Sequence, residues 1–156
     1  MRAFPLLILL AACGAPGLKP YADCQTVNPA GPATDLRNAP LSPELLVPDV
    51  DTGVAYYRDQ LGFRVVRNDA DTRSCFAVVA LDDDSLLLSH VGGGYTPLKN
   101  QVELRFMVPD VEATYARAKS GGAEFVRELG TADYGLREFV VRDPYGVRLR
   151  FAMPVP

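Results

Sequence analysis

An internal repeat constrains the fold of this chain more than any other feature of its sequence. Val-Pro-Asp-Val occurs at 47–50 and again at 108–111, and Gly-Phe-Arg-Val-Val-Arg at 62–67 corresponds to Gly-Ala-Glu-Phe-Val-Arg at 122–127. In both copies the proline ends a strand, because it lacks the N–H that a central ladder needs, and the aspartate stands at a helix N-cap position. Sequence self-similarity at this scale predicts two similar structural modules.

Each copy also contains one amphipathic helix. Apolar residues at helical spacing predict helices at 50–61 and 111–120, and Gly62 and Gly122 stand where a left-handed C-cap would end them. Strands are predicted at 42–47, 63–67, 75–81, 85–91, 101–108, 124–129, 136–142 and 147–153. The sequence therefore predicts an α+β fold made of two βαβββ modules.

Length and charge limit the classes of protein to which the chain can belong. Its 156 residues fit one domain with a short appendage, and 48% of them are apolar, which is enough to build a core. The formal net charge is −3. This argues against nucleic acid as a partner, because neutralising phosphates requires a basic surface.

The amino-terminal segment has the organisation of a secretory leader. Arg2 precedes an apolar stretch at 4–12, interrupted only by Pro5, and the stretch ends in Leu-Ala-Ala-Cys at 10–13, followed by Gly14. This ending resembles the lipobox of bacterial lipoproteins, in which the cysteine is acylated. The resemblance implies a signal peptide at 1–12, a lipid on Cys13, a flexible tether at 13–40 and a domain at 41–156.

The same resemblance implies a location in the cell envelope. The protein would be anchored to the membrane through Cys13, and Gly14 favours the periplasmic face of the outer membrane if the cell has two membranes. The alternative is a disordered apolar terminus with a chance cysteine. Acylation of Cys13 would leave Cys24 and Cys75 as an even pair that can form a disulfide in an oxidising compartment. Two separate thiols are the slightly favoured interpretation.

Two stretches carry a resemblance to a known family. They are Tyr-Tyr-Arg-Asp-Gln-Leu-Gly-Phe at 56–63 and the segment 134–151, which contains Asp-Pro-Tyr-Gly at 143–146. The chain resembles the vicinal oxygen chelate (VOC) superfamily of glyoxalases, bleomycin resistance proteins and dioxygenases, and most of all its bleomycin-resistance-like branch. The resemblance covers 41–153 and implies an open, cup-like mixed sheet with a ligand cleft on its concave face. Family members are often homodimers, so it is also compatible with a homodimer.

The positions at which metal-dependent relatives hold their ion have changed here. Carried over from the resemblance, they fall on Ser42, Glu103 and Arg150. A serine hydroxyl is a weak ligand and an arginine cannot deprotonate to bind a cation, so Glu103 alone is suited to a metal. His90, the single histidine, lies outside the family's ligand positions. The resemblance therefore implies a domain without a metal or other cofactor, in which Arg150 pairs with Glu103.

The period of two along a strand predicts which side chains face the cleft. A cleft-facing Glu103 places Arg105 on the same side, and the other strands of the module add further charged residues. The predicted cleft residues are Glu103, Arg105, Tyr134, Glu138, Arg148 and Arg150. Converging charges beside an aromatic ring are typical of a small-ligand site. A solvated sheet face with cross-strand ion pairs is an equally weighted alternative.

Three functions fit these features. The first is a metal-free, small-molecule-binding lipoprotein of the bleomycin-resistance type. The second is a VOC-type lyase or isomerase that uses Glu103 as general base, or a metal-dependent enzyme of the glyoxalase or dioxygenase kind. Arginines beside Glu103 should lower its pKa and make it a weak base. The third is a structural lipoprotein that has kept the fold and lost the pocket.

Overall fold

The computed structural model describes residues 42–68, 75–91, 95–97 and 100–155, and its elements form two βαβββ units as predicted. A π-helical segment, Tyr56–Gln60, continues the first helix. The other elements are β1 (Glu44–Val47), α1 (Val50–Ala55), β2 (Arg64–Asn68), β3 (Phe76–Leu81), β4 (Asp84–His90), β5 (Glu103–Met107), α2 (Val111–Ser120), β6 (Glu124–Thr131), β7 (Leu136–Arg142) and β8 (Arg148–Pro154).

Each module contributes one four-stranded mixed sheet. The strand orders are β1-β4-β3-β2 and β5-β8-β7-β6, so the two topologies are the same. In each sheet the first strand of the module runs parallel to its last strand, and the remaining neighbours are antiparallel. This arrangement confirms both the α+β fold class and the structural meaning of the repeat.

The helices begin and end where the repeat predicts. Asp49 and Asp110 accept hydrogen bonds at Oδ1 from the backbone N–H of Thr52 and Ala113, both at 2.8 Å. Gly62 and Gly122 have φ of 79° and 78°, the left-handed conformation that favours glycine. No helix among the described residues is both long and apolar enough to cross a membrane.

The first helix differs from its prediction because its regular part ends at Ala55. The wider π turn that follows buries two consecutive side chains, Tyr56 and Tyr57. The Tyr57 hydroxyl donates to Asp143 Oδ2 at 2.8 Å, and the Tyr56 hydroxyl donates to the Arg142 carbonyl at 3.0 Å. The π turn therefore directs both tyrosines into the second module.

The two modules share one hydrophobic core. Phe63 of the first contacts Phe106 of the second with ring centroids 5.4 Å apart, and the Tyr145 hydroxyl donates to the Asp49 carbonyl at 2.6 Å. Burial raises the pKa of Asp143, whose hydrogen bonds oppose that shift. These contacts make the second module's Asp-Pro-Tyr-Gly turn part of the packing between modules.

One expectation about the cysteines is wrong. Cys75, which precedes β3, is disulfide-bonded, whereas the favoured interpretation treated Cys24 and Cys75 as separate thiols. Its partner lies outside the described residues, as do both Cys13 and Cys24. Sequence spacing does not show which distant segments lie together, so the residues alone did not reveal this disulfide.

Candidate ligand-binding site

The second sheet has one face packed into the core and one open face. Phe139, Leu149 and Phe151 alternate along β7 and β8 on the core face, together with buried residues of α2. The opposite side is called the open face below. Its residues on β5, β7 and β8 include Glu103, Arg105, Met107, Glu138, Val140, Arg148 and Arg150. The strand period thus gave the correct facing for these side chains, and their role in binding a ligand stays a prediction.

A chain of ion pairs crosses the open face. Glu103 accepts from Arg150 Nε at 2.6 Å through Oε1, and its Oε2 lies 3.0 Å from Arg148 Nη2. Arg150 Nη1 also contacts Glu138 Oε1 and donates to the Tyr134 hydroxyl at 3.2 Å. The Tyr134 hydroxyl in turn donates to Glu138 Oε1. The structure therefore joins five of the six predicted site residues in one network, with Arg105 beside it on the neighbouring strand.

Arg127 belongs to this network although the sequence reasoning missed it. Its Nη2 pairs with Glu138 Oε1. Strict alternation from Glu124, which faces the open side opposite Arg142, would turn Arg127 toward the core. The β6–β7 register is irregular between Phe125 and Arg127, so this bulge returns Arg127 to the open face.

The network is partly buried and incompletely satisfied. The side chain of Glu138 is 1% exposed and that of Arg150 is 11% exposed. Within the described residues, Glu138 Oε2 and Arg148 Nε are buried without a hydrogen-bond partner. Buried polar atoms nearly always have partners, and ordered water commonly supplies them.

The electrostatics of Glu103 disfavour its use as a base. The hydrogen bond from Arg150 lowers the pKa of Glu103, the charges of Arg148 and Arg105 act in the same direction, and partial desolvation opposes them. A carboxylate with a lowered pKa holds its proton weakly and is a poor general base near neutral pH. The pKa shift agrees with the expectation from sequence and makes base catalysis by Glu103 the weaker hypothesis.

A cavity of about 450 Å³ lies at one end of this sheet rather than over the ion-pair network. Arg142 lies beside this cavity and is the register partner of Arg148 across β7 and β8. It donates to Asn100 Oδ1 at 3.1 Å and pairs with Glu124. The cavity is lined by Pro97, Asn100, Glu124, Arg142, Asp143, Pro144 and Gly146. The candidate site is placed at the network because five of the six predicted site residues are joined there.

The sequence matches a family model over most of its length. The model describes the Glyoxalase/Bleomycin resistance protein/Dioxygenase superfamily and matches residues 40–151. The chain belongs to this superfamily. No curated protein matches the chain significantly.

Several solved structures share this VOC fold. TioX from Micromonospora sp. ML1 is 24% identical, with 74% of this chain and 98% of TioX covered and a TM-score of 0.64. A bleomycin-binding protein complexed with bleomycin is 23% identical, with 74% and 98% covered and a TM-score of 0.59. A superfamily protein from Nocardioides is 16% identical, with 73% and 82% covered and a TM-score of 0.58. At these identities the likeness shows the fold alone.

The positions that the VOC resemblance assigns to a metal do not fit a cation in this chain. The Ser42 hydroxyl is hydrogen-bonded to the Ser85 hydroxyl at 3.1 Å, and both oxygens of Glu103 contact arginines. A guanidinium at Arg150 adds positive charge where an ion would bind. Across the described part of the chain, no three His, Cys, Asp or Glu side chains are grouped as metal ligands would be.

Proposed function

We propose that this chain is a small-molecule-binding protein of the bleomycin-resistance type, which holds its ligand on the open face without a metal. The observation that carries the proposal is the network that joins charged and polar side chains of three elements on the open face: Glu103, Tyr134, Glu138, Arg148 and Arg150. Exposed side chains beside them supply apolar surface: Tyr134 is 60% exposed and Met107 is 48% exposed. Polar groups converging beside apolar surface are typical of small-ligand sites.

The solved complex of a relative supports the same type of function by analogy. The bleomycin-binding protein shares the fold and was crystallised with a small molecule bound. A homodimer, as in many relatives, is compatible with this proposal and is tested by sedimentation equilibrium.

The proposal is tested by screening for ligands with a matched pair of variants. The full chain is screened by thermal shift against a small-molecule library and a native extract, and each hit is measured by equilibrium dialysis. Arg150→Ala should weaken binding. Arg137→Ala should not, because Arg137 lies on the neighbouring strand β7, faces the other side of the sheet and pairs with Glu112 of α2.

Temperature control keeps binding separate from stability. Dialysis is carried out well below the melting temperature of each variant, so that loss of fold is not mistaken for loss of affinity. Hits that bind Arg150→Ala as tightly as the wild type would refute the site. A screen in which nothing binds the wild type would refute the function and favour a structural lipoprotein.

We also propose that Cys13 carries a lipid and that Cys24 is the disulfide partner of Cys75. The sequence has three cysteines, so this pairing leaves Cys13 for acylation at the lipobox-like motif. The lipid would hold the domain in the cell envelope through the segment 13–40. Mass spectrometry of non-reduced peptides from the membrane fraction should find a Cys24–Cys75 peptide and an acylated Cys13. A Cys13–Cys75 peptide would refute both parts, because a cysteine in a disulfide carries no lipid.

A further inference from the structure

We infer that the open face takes an anionic ligand, whose carboxylate or phosphate group binds between Arg105 and Arg148. The inference rests on the proposed function, since it names the class of molecule that the same face would bind. It follows from which charges on this face are already paired and which are left for a ligand.

The two carboxylates of the network are committed to protein groups. Glu103 has one oxygen on Arg150 and the other on Arg148. Glu138 Oε1 is contacted by Arg127 and Arg150, and Oε2 is enclosed. Glu138 is enclosed and both oxygens of Glu103 are already paired with arginines, so neither carboxylate is left for a cationic ligand without breaking an ion pair.

Two arginines keep unused donors. Arg105 is exposed on the open face and has no carboxylate within ion-pair distance among the described residues. Arg148 pairs through Nη2 and leaves Nε without an acceptor. Nε itself is buried, but 31% of the side chain is exposed, so a ligand oxygen would meet the exposed part of the guanidinium. A guanidinium is planar, carries one positive charge and has several N–H donors, so its geometry matches a carboxylate or phosphate.

The local charge balance also favours an anion. Four arginines of the face and its network are set against two glutamates, which leaves a local excess of two positive charges in a chain whose net charge is −3. The arginines are Arg105, Arg127, Arg148 and Arg150, and the glutamates are Glu103 and Glu138. A positive patch on an acidic protein concentrates anions locally without attracting them to the whole surface.

The strand register places Arg105 and Arg148 next to Glu103 on the open face. Glu103 pairs in register with Arg148 across β5 and β8, and Arg105 follows two residues later on the same face. Two residues along a strand span about 7 Å and neighbouring strands lie about 4.8 Å apart, so the Cα atoms of Arg105 and Arg148 are diagonal neighbours about 8 Å apart, within reach of two arginine side chains that hold one anionic group. Met107 comes next on this face and supplies an apolar surface for the rest of the ligand.

The test uses three probes that share an aromatic ring and differ in charge: benzoate, benzamide and benzamidinium. Inorganic phosphate is a fourth probe, which separates a preference for carboxylate from one for phosphate. Binding to the full chain is followed by ¹H–¹⁵N NMR, including the Nε–Hε signals of the arginines. The variants are Arg105→Gln and Arg148→Gln. The control is Arg58→Gln, which removes the same charge from an exposed arginine paired with Asp59 in the first module.

Benzoate or phosphate should shift the signals of Arg105 and Arg148 and should bind more tightly than benzamide. Each site variant should weaken this binding by about tenfold, the usual effect of losing a charge-assisted contact, and Arg58→Gln should leave it unchanged. Preferential binding of benzamidinium, or anion binding that survives both site variants, would overturn the inference. If library ligands bind the face regardless of their charge, the proposed function stands and the inference fails.

Discussion

Replacing Arg150 tests whether the ion-pair network is a structural unit. Arg150→Met keeps an unbranched apolar chain of similar reach but removes the guanidinium that contacts both Glu103 and Glu138. Glu138, which is 1% exposed, would then keep only Arg127 and Tyr134 as partners at Oε1. An incompletely paired buried charge is the kind of defect that destabilises a fold strongly.

The size of the effect follows from burial. Removing one partner of a buried ion pair destabilises a protein by about 3–5 kcal/mol. The lower end applies here because Arg127 and Tyr134 still contact the carboxylate, so the expected loss is about 3 kcal/mol in the free energy of unfolding. For a domain of this size that corresponds to a fall of about 12 °C in the melting temperature.

A double-mutant cycle separates the energy of the Arg150–Glu138 ion pair from that of the packing of the two side chains. Glu138→Gln removes the buried charge, and Arg150 keeps Glu103 as a partner at 2.6 Å. Combining Glu138→Gln with Arg150→Met should restore most of the lost stability, because no buried charge is then left without its partner. The two effects should therefore be strongly non-additive.

Urea unfolding followed by far-ultraviolet circular dichroism is the suitable assay, since the chain has no tryptophan. The slope of free energy against urea concentration should stay constant across the four proteins. A loss below about 1 kcal/mol for Arg150→Met, or additive effects in the double variant, would refute the reasoning, because surface ion pairs contribute no more than that.

Three further predictions concern other parts of the molecule. Because the pKa of Glu103 is lowered, its ion pairs should stabilise the fold above the unfolded-state pKa and lose that effect as pH falls through the folded-state pKa. The melting temperature of Glu103→Gln should therefore depend less on pH in the acid range than that of the wild type, and an equal dependence would contradict this. Asp143→Ala should lower the free energy of unfolding by about 3–5 kcal/mol in urea, because the Tyr57 hydroxyl and two backbone N–H groups lose a buried acceptor. Asp143→Asn should retain most of the stability, and equal losses in the two variants would refute this. Gly121→Ala should lower the melting temperature more than Gly130→Ala. A Cβ at position 121 would lie 2.5 Å from the Gln60 backbone, whereas a Cβ at position 130 would have nothing within 4 Å. Equal shifts in melting temperature would refute the contact.

The sequence was sufficient for the fold because each module carries local signals that agree with one another. Asp49 and Asp110 cap the helices, and Gly62 and Gly122 follow them with positive φ. The π turn was not predictable, since apolar spacing over five residues fits either helix type. Its geometry depends on Asp143, which is distant in sequence and receives the Tyr57 hydroxyl.

The candidate site was predictable where strands are regular and not where they are bulged. Regular alternation placed Glu103 and Arg150 on one face, and their opposite charges predicted the contact that the structure contains. Arg127 required knowledge of the bulge before it, which only the register of β6 against β7 reveals. The burial of Glu138 likewise depends on the side chains that cover it, which no sequence period encodes.

The two modules show that the side chains on one face of a sheet can change while the backbone topology does not. Glu44 pairs with Leu87 across β1 and β4 at the place where Arg105 pairs with Arg150 across β5 and β8. The Ser42–Ser85 hydrogen bond correspondingly occupies the place of the Glu103–Arg148 ion pair. The first module thus offers two hydroxyls, a leucine and one carboxylate where the second offers one carboxylate and three guanidinium groups. Because the folds of the two modules agree and these positions differ, the charged network is not needed to form a βαβββ module, which supports the proposal that it serves a ligand.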